Sequence, residues 1–181
     1  FIEFDTKGHP GYASFRSTAY SGNVAPGLEV DHLKIIREET AKRGIALYSH
    51  YSGAFDMKVA REHPDWAVHT KDGEVTDMIN VTDSPYYETI MLPQLQELAQ
   101  RYGFNGVWID GETGFIKLDY SPKVMEKFKE ETGFDTVEDA PDSPSRIAFI
   151  QWQRKRFDGY MERYLHDLHT TCPGFEVGSA N

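Results

Sequence analysis

Apolar residues gather in four short runs, at positions 1–5, 45–51, 106–110 and 175–178, and each run turns polar at its carboxyl end. Stretches with helical spacing lie between them, an alternation that predicts parallel strands joined by crossover helices. A helix is expected over 30–42, with Leu33, Ile35 and Ile36 as its apolar face and Gly44 as its stop. Ile90, Leu92, Leu95 and Leu98 repeat at helical spacing within 87–102, and Gly103 ends that helix just before the third strand. Ser121 and Pro122 read as an N-cap and first helical residue, with Gly133 as the stop. A long helix over 145–169 then leads through Pro173 and Gly174 to the last strand.

Two stretches break the rhythm. Residues 63–83 hold a Lys71-Asp72-Gly73 turn between β-prone segments, which predicts a hairpin-like insertion after the second strand. Residues 138–145, rich in Asp, Pro and Ser, read as a surface loop. The fold class expected is α/β, a (β/α)8 TIM barrel. A complete barrel usually needs roughly 250 residues, so 181 residues are expected to form one partial barrel domain, with the rest supplied by a longer chain or assembly. Both termini read as cut from inside such a chain.

Composition narrows the partners. A 39% hydrophobic, 27% charged and 13% aromatic chain is globular in character. Its formal net charge of −10 argues against nucleic acid and against anionic membrane surfaces, both of which need clustered Lys and Arg. No apolar run approaches the roughly 18 to 20 residues of a membrane span. The single cysteine, Cys172, cannot form an intrachain disulfide and leaves the compartment open.

In parallel α/β barrels the chemistry gathers where strands end, so those positions are the candidates. They are Asp5, Lys7 and His9; Ser49, His50 and Tyr51; Asp110 and Glu112; and Ser179 and Asn181. Asp110 stands out because a carboxylate directly after a buried strand costs desolvation energy. Its structural alternative is an N-cap or an ion-pair partner. Glycosidic cleavage commonly uses two carboxyl groups, and Asp110 with Glu112 is a candidate pair, although Gly111 between them leaves the local path open. His9, Lys7, His50, Tyr51, Trp108 and Asn181 are expected to bind substrate, the aromatic rings by stacking on sugar faces. The seven histidines show no metal-ligand spacing, and no phosphate loop, serine elbow or cysteine-nucleophile signature occurs. Neither a metal nor a cofactor is expected.

The run Thr6-Lys7-Gly8-His9-Pro10-Gly11-Tyr12 resembles the Lys-His-His-Asp-Gly-Phe loop of α-L-fucosidases of glycoside hydrolase family 29, with Gly8 and Pro10 in place of two polar members. Ile45-Ala46-Leu47-Tyr48-Ser49 is similar to that family's Gly-Leu-Tyr-Tyr-Ser strand, and 94–111 to the segment that carries its nucleophile, which falls on Asp110. His63-Pro64-Asp65-Trp66 and Ser84-Pro85-Tyr86 look more like related hypothetical glycosyl hydrolases. The resemblance implies barrel strands two to five and a retaining exo-glycosidase acting on a neutral sugar, with the acid/base carboxylate generally later than Asp110. Two other readings stay open: a β-galactosidase-like barrel in which Asp110 or Glu112 is the acid/base, and a non-catalytic carbohydrate-binding barrel.

Overall fold

The computed structural model describes residues 1–110 and 117–179. Four strands, β1 (Ile2–Lys7), β2 (Leu47–Ser52), β5 (Gly106–Asp110) and β6 (Glu176–Ser179), form one sheet in that order. Every pairing within it is parallel, and the strand order follows the chain order. The remaining strands, β3 (Ala67–His69) and β4 (Val75–Ile79), form a separate antiparallel hairpin. Gly73 turns it at φ +85°, a conformation that costs a residue with a Cβ. This hairpin falls within 63–83, between β2 and β5 in the chain.

Five α-helices complete the described fold: α1 (His32–Lys42), α2 (Met57–Glu62), α3 (Leu92–Gln100), α4 (Pro122–Thr132) and α5 (Pro144–Thr171). Three of the helix-ending glycines fall where expected, with Gly44, Gly103 and Gly133 at φ +63°, +65° and +81°. The 87–102 helix differs from the uniform α-helix its spacing predicts. It opens with a π-helical turn, Tyr87–Met91, in which the Leu92 amide reaches back to the Tyr87 carbonyl. Pro93 has no N–H to continue the ladder, so a register change just ahead of it is inexpensive.

The two faces of the sheet have different company. Leu47, Ser49 and Tyr51 of β2 and Val107 and Ile109 of β5 are buried. The apolar ones join one core with Leu33 of α1, Leu95 and Leu98 of α3, and Tyr164 and Leu168 of α5. Each fully buried aliphatic side chain there contributes about 1.5–3 kcal/mol. On the opposite face β2 presents Tyr48 and His50 and β5 presents Trp108 and Asp110, none of them fully buried. A second, smaller core of Val124, Phe128, Val137, Phe149 and Trp152 sits where α4 meets α5. None of the described helices is long and apolar enough to cross a membrane.

Candidate active site

Strand register brings the polar ends of three strands together. Asp5 pairs with His50, His50 with Trp108, and Ser52 with Asp110. The Gly53 amide donates to the Asp110 carbonyl at 3.0 Å, which locks the ends of β2 and β5 side by side. Period-two alternation then places His50 and Asp110 on the same face, opposite the one packed against the helices.

Two imidazoles converge on the carboxylate. His9 Nε2 and His50 Nε2 each lie 3.5 Å from Asp110 Oδ2, and the three side chains are 51%, 33% and 31% exposed. His9 arrives from the loop after β1 and is held three ways. Its carbonyl accepts from the Met57 amide at the start of α2 (3.0 Å), its ring lies 5.0 Å from that of Phe55, and its Nδ1 is 2.7 Å from Ser52 Oγ. The outcome is a partly exposed carboxylate between two nitrogen donors or acceptors, at the carboxyl end of a parallel strand.

Lys7 and Tyr51 do not reach this mouth. Lys7 is fully buried, its ammonium 3.0 Å from Asp56 Oδ2 and donating to the Ser52 carbonyl at 2.8 Å, with the Tyr51 ring beneath it. Burial pushes the ammonium below its ordinary value, and the Asp56 carboxylate opposes that shift. Asp56 is itself saturated: it also accepts from Tyr86 Oη (3.0 Å) and caps α2 through the Val59 amide (2.9 Å). Tyr51 turns to the helix side and donates to Gln94 at 2.8 Å. The physical cause is strand geometry, because Tyr51 follows the buried positions Leu47 and Ser49, and a register shift after Asp5 redirects Lys7. In this structure both side chains support the site from below and neither contacts its opening.

Trp108 is 44% exposed and lies on the open face, one rung from Asp110. It lines a cavity of about 550 Å³ with Phe1, Glu3, Tyr48 and Glu176. That cavity faces the amino-terminal half of the sheet and includes none of His9, His50 and Asp110. Glu112 and Asn181 lie outside the described residues. Two supporting residues escape the sequence reading, Ser52 and Asp56. Ser52 is the next polar residue on the alternation Tyr48, His50, Ser52, a signal that was present in the pattern. Asp56 gives only a weak one, an Asp just ahead of a short helical stretch. Among the described residues no group of three or more His, Cys, Asp or Glu side chains is arranged to hold a metal ion.

A parallel α/β sheet with its polar groups collected at the carboxyl ends, around a carboxylate set between two histidines, is the architecture of an enzyme domain that works at its strand ends. The family model described as Alpha-L-fucosidase matches residues 1–165, and the chain belongs to that family. No curated protein sequence matches it. Among solved structures, an α-L-fucosidase isoenzyme 2 from Paenibacillus thiaminolyticus superposes with a TM-score of 0.76 at 20% identity, over 98% of this chain and 27% of that one. A hypothetical protein from Ruminiclostridium thermocellum gives 0.61 at 10% identity, over 98% and 81%. The α-L-fucosidase AlfC from Lactobacillus casei, in complex with α-L-fucose product, gives 0.52 at 15% identity, over 98% and 45%. These likenesses establish a shared α/β fold. The chain spans about a quarter of the Paenibacillus enzyme and under half of the Lactobacillus one.

Proposed function

We propose that this chain carries the nucleophile and part of the sugar site of a retaining exo-glycosidase, with an α-L-fucoside as substrate. The observation that carries the reading is the Asp110 carboxylate, 3.5 Å from both His9 Nε2 and His50 Nε2, in a member of the α-L-fucosidase family. One neighbour holding α-L-fucose product supports the choice of sugar. In this mechanism an Asp110 oxygen bonds to the anomeric carbon as the glycosidic bond breaks, and a second carboxylic acid protonates the departing oxygen. Water then cleaves the glycosyl–enzyme ester, returning the carboxylate. His9 and His50 hold sugar hydroxyls beside the reacting centre, and Trp108 offers an aromatic face on the same side of the sheet. Glu112 is a candidate for the acid, as is a carboxylate on a later segment. The acidic balance of the chain suits a neutral substrate better than an anionic one.

The architecture that fits this function is a (β/α)8 barrel, of which the four parallel strands would be strands two to five of one catalytic domain. Support comes from the match between strand order and chain order, from the packing of the described helices against the other face of the sheet, and from the share of the fucosidase chains covered. β1 and β6, the edges of this sheet, would each gain a partner strand in a longer chain. Amide exchange in that longer protein is therefore expected to be slow on both outer edges, and fast exchange there would reject closure.

Azide rescue of Asp110→Gly in the longer protein tests the mechanism. The variant is expected to lose activity by several orders of magnitude on an aryl α-L-fucoside and to recover turnover with azide, releasing a glycosyl azide of inverted anomeric configuration. A product of retained configuration would assign Asp110 to the acid/base role instead. Sugar binding without turnover in the unmodified protein would identify a binding barrel.

A further inference from the structure

We infer that Ser52 sets the tautomer of His9, holding the ring proton on Nδ1 and turning Nε2 toward the mouth as an acceptor. Ser52 Oγ lies 2.9 Å from the Phe55 carbonyl oxygen and 2.7 Å from His9 Nδ1. A carbonyl can only accept, so both contacts are hydrogen bonds at once only when the single hydroxyl proton of Ser52 goes to Phe55. What remains on Oγ is lone pairs, and the 2.7 Å contact to His9 is a hydrogen bond only if Nδ1 carries the proton. The uncharged ring then has its bare nitrogen at Nε2, the atom 3.5 Å from Asp110 Oδ2.

Ser52 is itself held in place. Its backbone is paired with Asp110 in the strand register, and its carbonyl receives the buried Lys7 ammonium. The Phe55 carbonyl that takes its proton belongs to the turn leading into α2, whose first amide, Met57, holds the His9 backbone. Acceptor and imidazole are therefore fixed to the same local frame, so the two contacts are kept together. Ser52 is a positioning residue that acts through His9.

A chemical consequence follows for the ligand. Nε2 of the neutral ring and Oδ2 of an ionised Asp110 are both acceptors, and a ligand group placed against the two of them is favoured when it donates. A hydroxyl of a polyhydroxylated ligand supplies such a proton, whereas a ligand that offers only acceptors there finds no partner. This consequence rests on the glycoside reading of the site. The tautomer assignment does not, and its test needs no turnover.

Nitrogen-15 NMR of the longer protein labelled at histidine provides that test, with the His9 signals identified by their loss in His9→Gln. At a pH where the ring is neutral, Nδ1 is expected to resonate as a protonated nitrogen and Nε2 as a bare one. In Ser52→Thr, which keeps the hydroxyl, that pattern persists. In Ser52→Ala the ring loses its acceptor and shifts toward the Nε2-protonated form that free imidazole side chains favour. A protonated Nε2 in the unmodified protein overturns the inference, and this measurement stands even if the alanine variant fails to fold. An unchanged tautomer in a folded Ser52→Ala variant overturns it equally.

Discussion

An ammonium group with no exposed surface is tolerated only when its charge is paired, and Lys7 is paired with Asp56 and donates to the Ser52 carbonyl. Removing it leaves Asp56 buried without its counter-charge, and that carboxylate also caps α2 and accepts from Tyr86. Lys7→Met is therefore expected to lower the unfolding free energy by about 3–5 kcal/mol, read as a fall in the urea midpoint at constant slope. A loss under 1 kcal/mol would show that the pair contributes little. Lys7 also marks where the sequence stops being informative. Asp110, His9 and His50 are legible because a strand end is a definite place in the pattern. The burial of Lys7 and Tyr51 depends on which way each position faces. For Tyr51 the alternation Leu47, Ser49, Tyr51 holds that information, but for Lys7 a register shift after Asp5 erases it.

Elements show the same division between what is local and what is not. Helix stops at Gly44, Gly103 and Gly133 and the turn at Gly73 are read from single residues, because a positive φ is a local demand. The six-residue α2 is too short for periodicity to announce it, and the π-helical turn before Pro93 reflects a backbone hydrogen-bond register that side-chain spacing does not record. α5 starts at Pro144, one residue ahead of the expected start, because the Ser143 hydroxyl accepts from the Arg146 amide. Ser121 precedes α4 as expected but spends its hydroxyl on Asp119 rather than on the helix. Gly106, at the start of β5, carries a demand the pattern did not disclose. A Cβ there would stand 2.4 Å from the Glu176 carbonyl oxygen and 2.8 Å from the Tyr48 ring. Since one of those neighbours is backbone, Gly106→Ala is expected to force β5 and β6 apart and to cost about 1–3 kcal/mol in thermal or urea unfolding. A neutral substitution would mean that the two strands are less tightly paired than their register implies.

Across the whole molecule, two buried carboxylates fasten the loops and the insertion to the helices. Glu97 of α3 accepts from the Ser17 and Thr18 hydroxyls and from the Thr18 and Ala19 amides, and it pairs with Arg101, so it anchors the long loop after β1. Asp83, at the end of the insertion, pairs with Lys127 of α4 and Arg156 of α5. Burial raises both carboxyl pKa values, but the hydrogen bonds outweigh it, and both groups end below the ordinary carboxylate range. A carboxyl whose pKa is depressed by folding contributes stability that is complete above its unfolded value, near 3.9 for Asp and 4.3 for Glu. That contribution is lost as the pH falls through those values toward the folded ones. The urea midpoint is therefore expected to stay level from about pH 7 to 5 and to fall steeply below about pH 4. The double variant Asp83→Asn, Glu97→Gln should begin from a lower midpoint at pH 7 and descend with a shallower acid slope, because two of the protons taken up on unfolding are gone. If its acid slope matches that of the unmodified protein, other carboxylates govern the acid response, and the loop and the insertion are held chiefly by their apolar contacts.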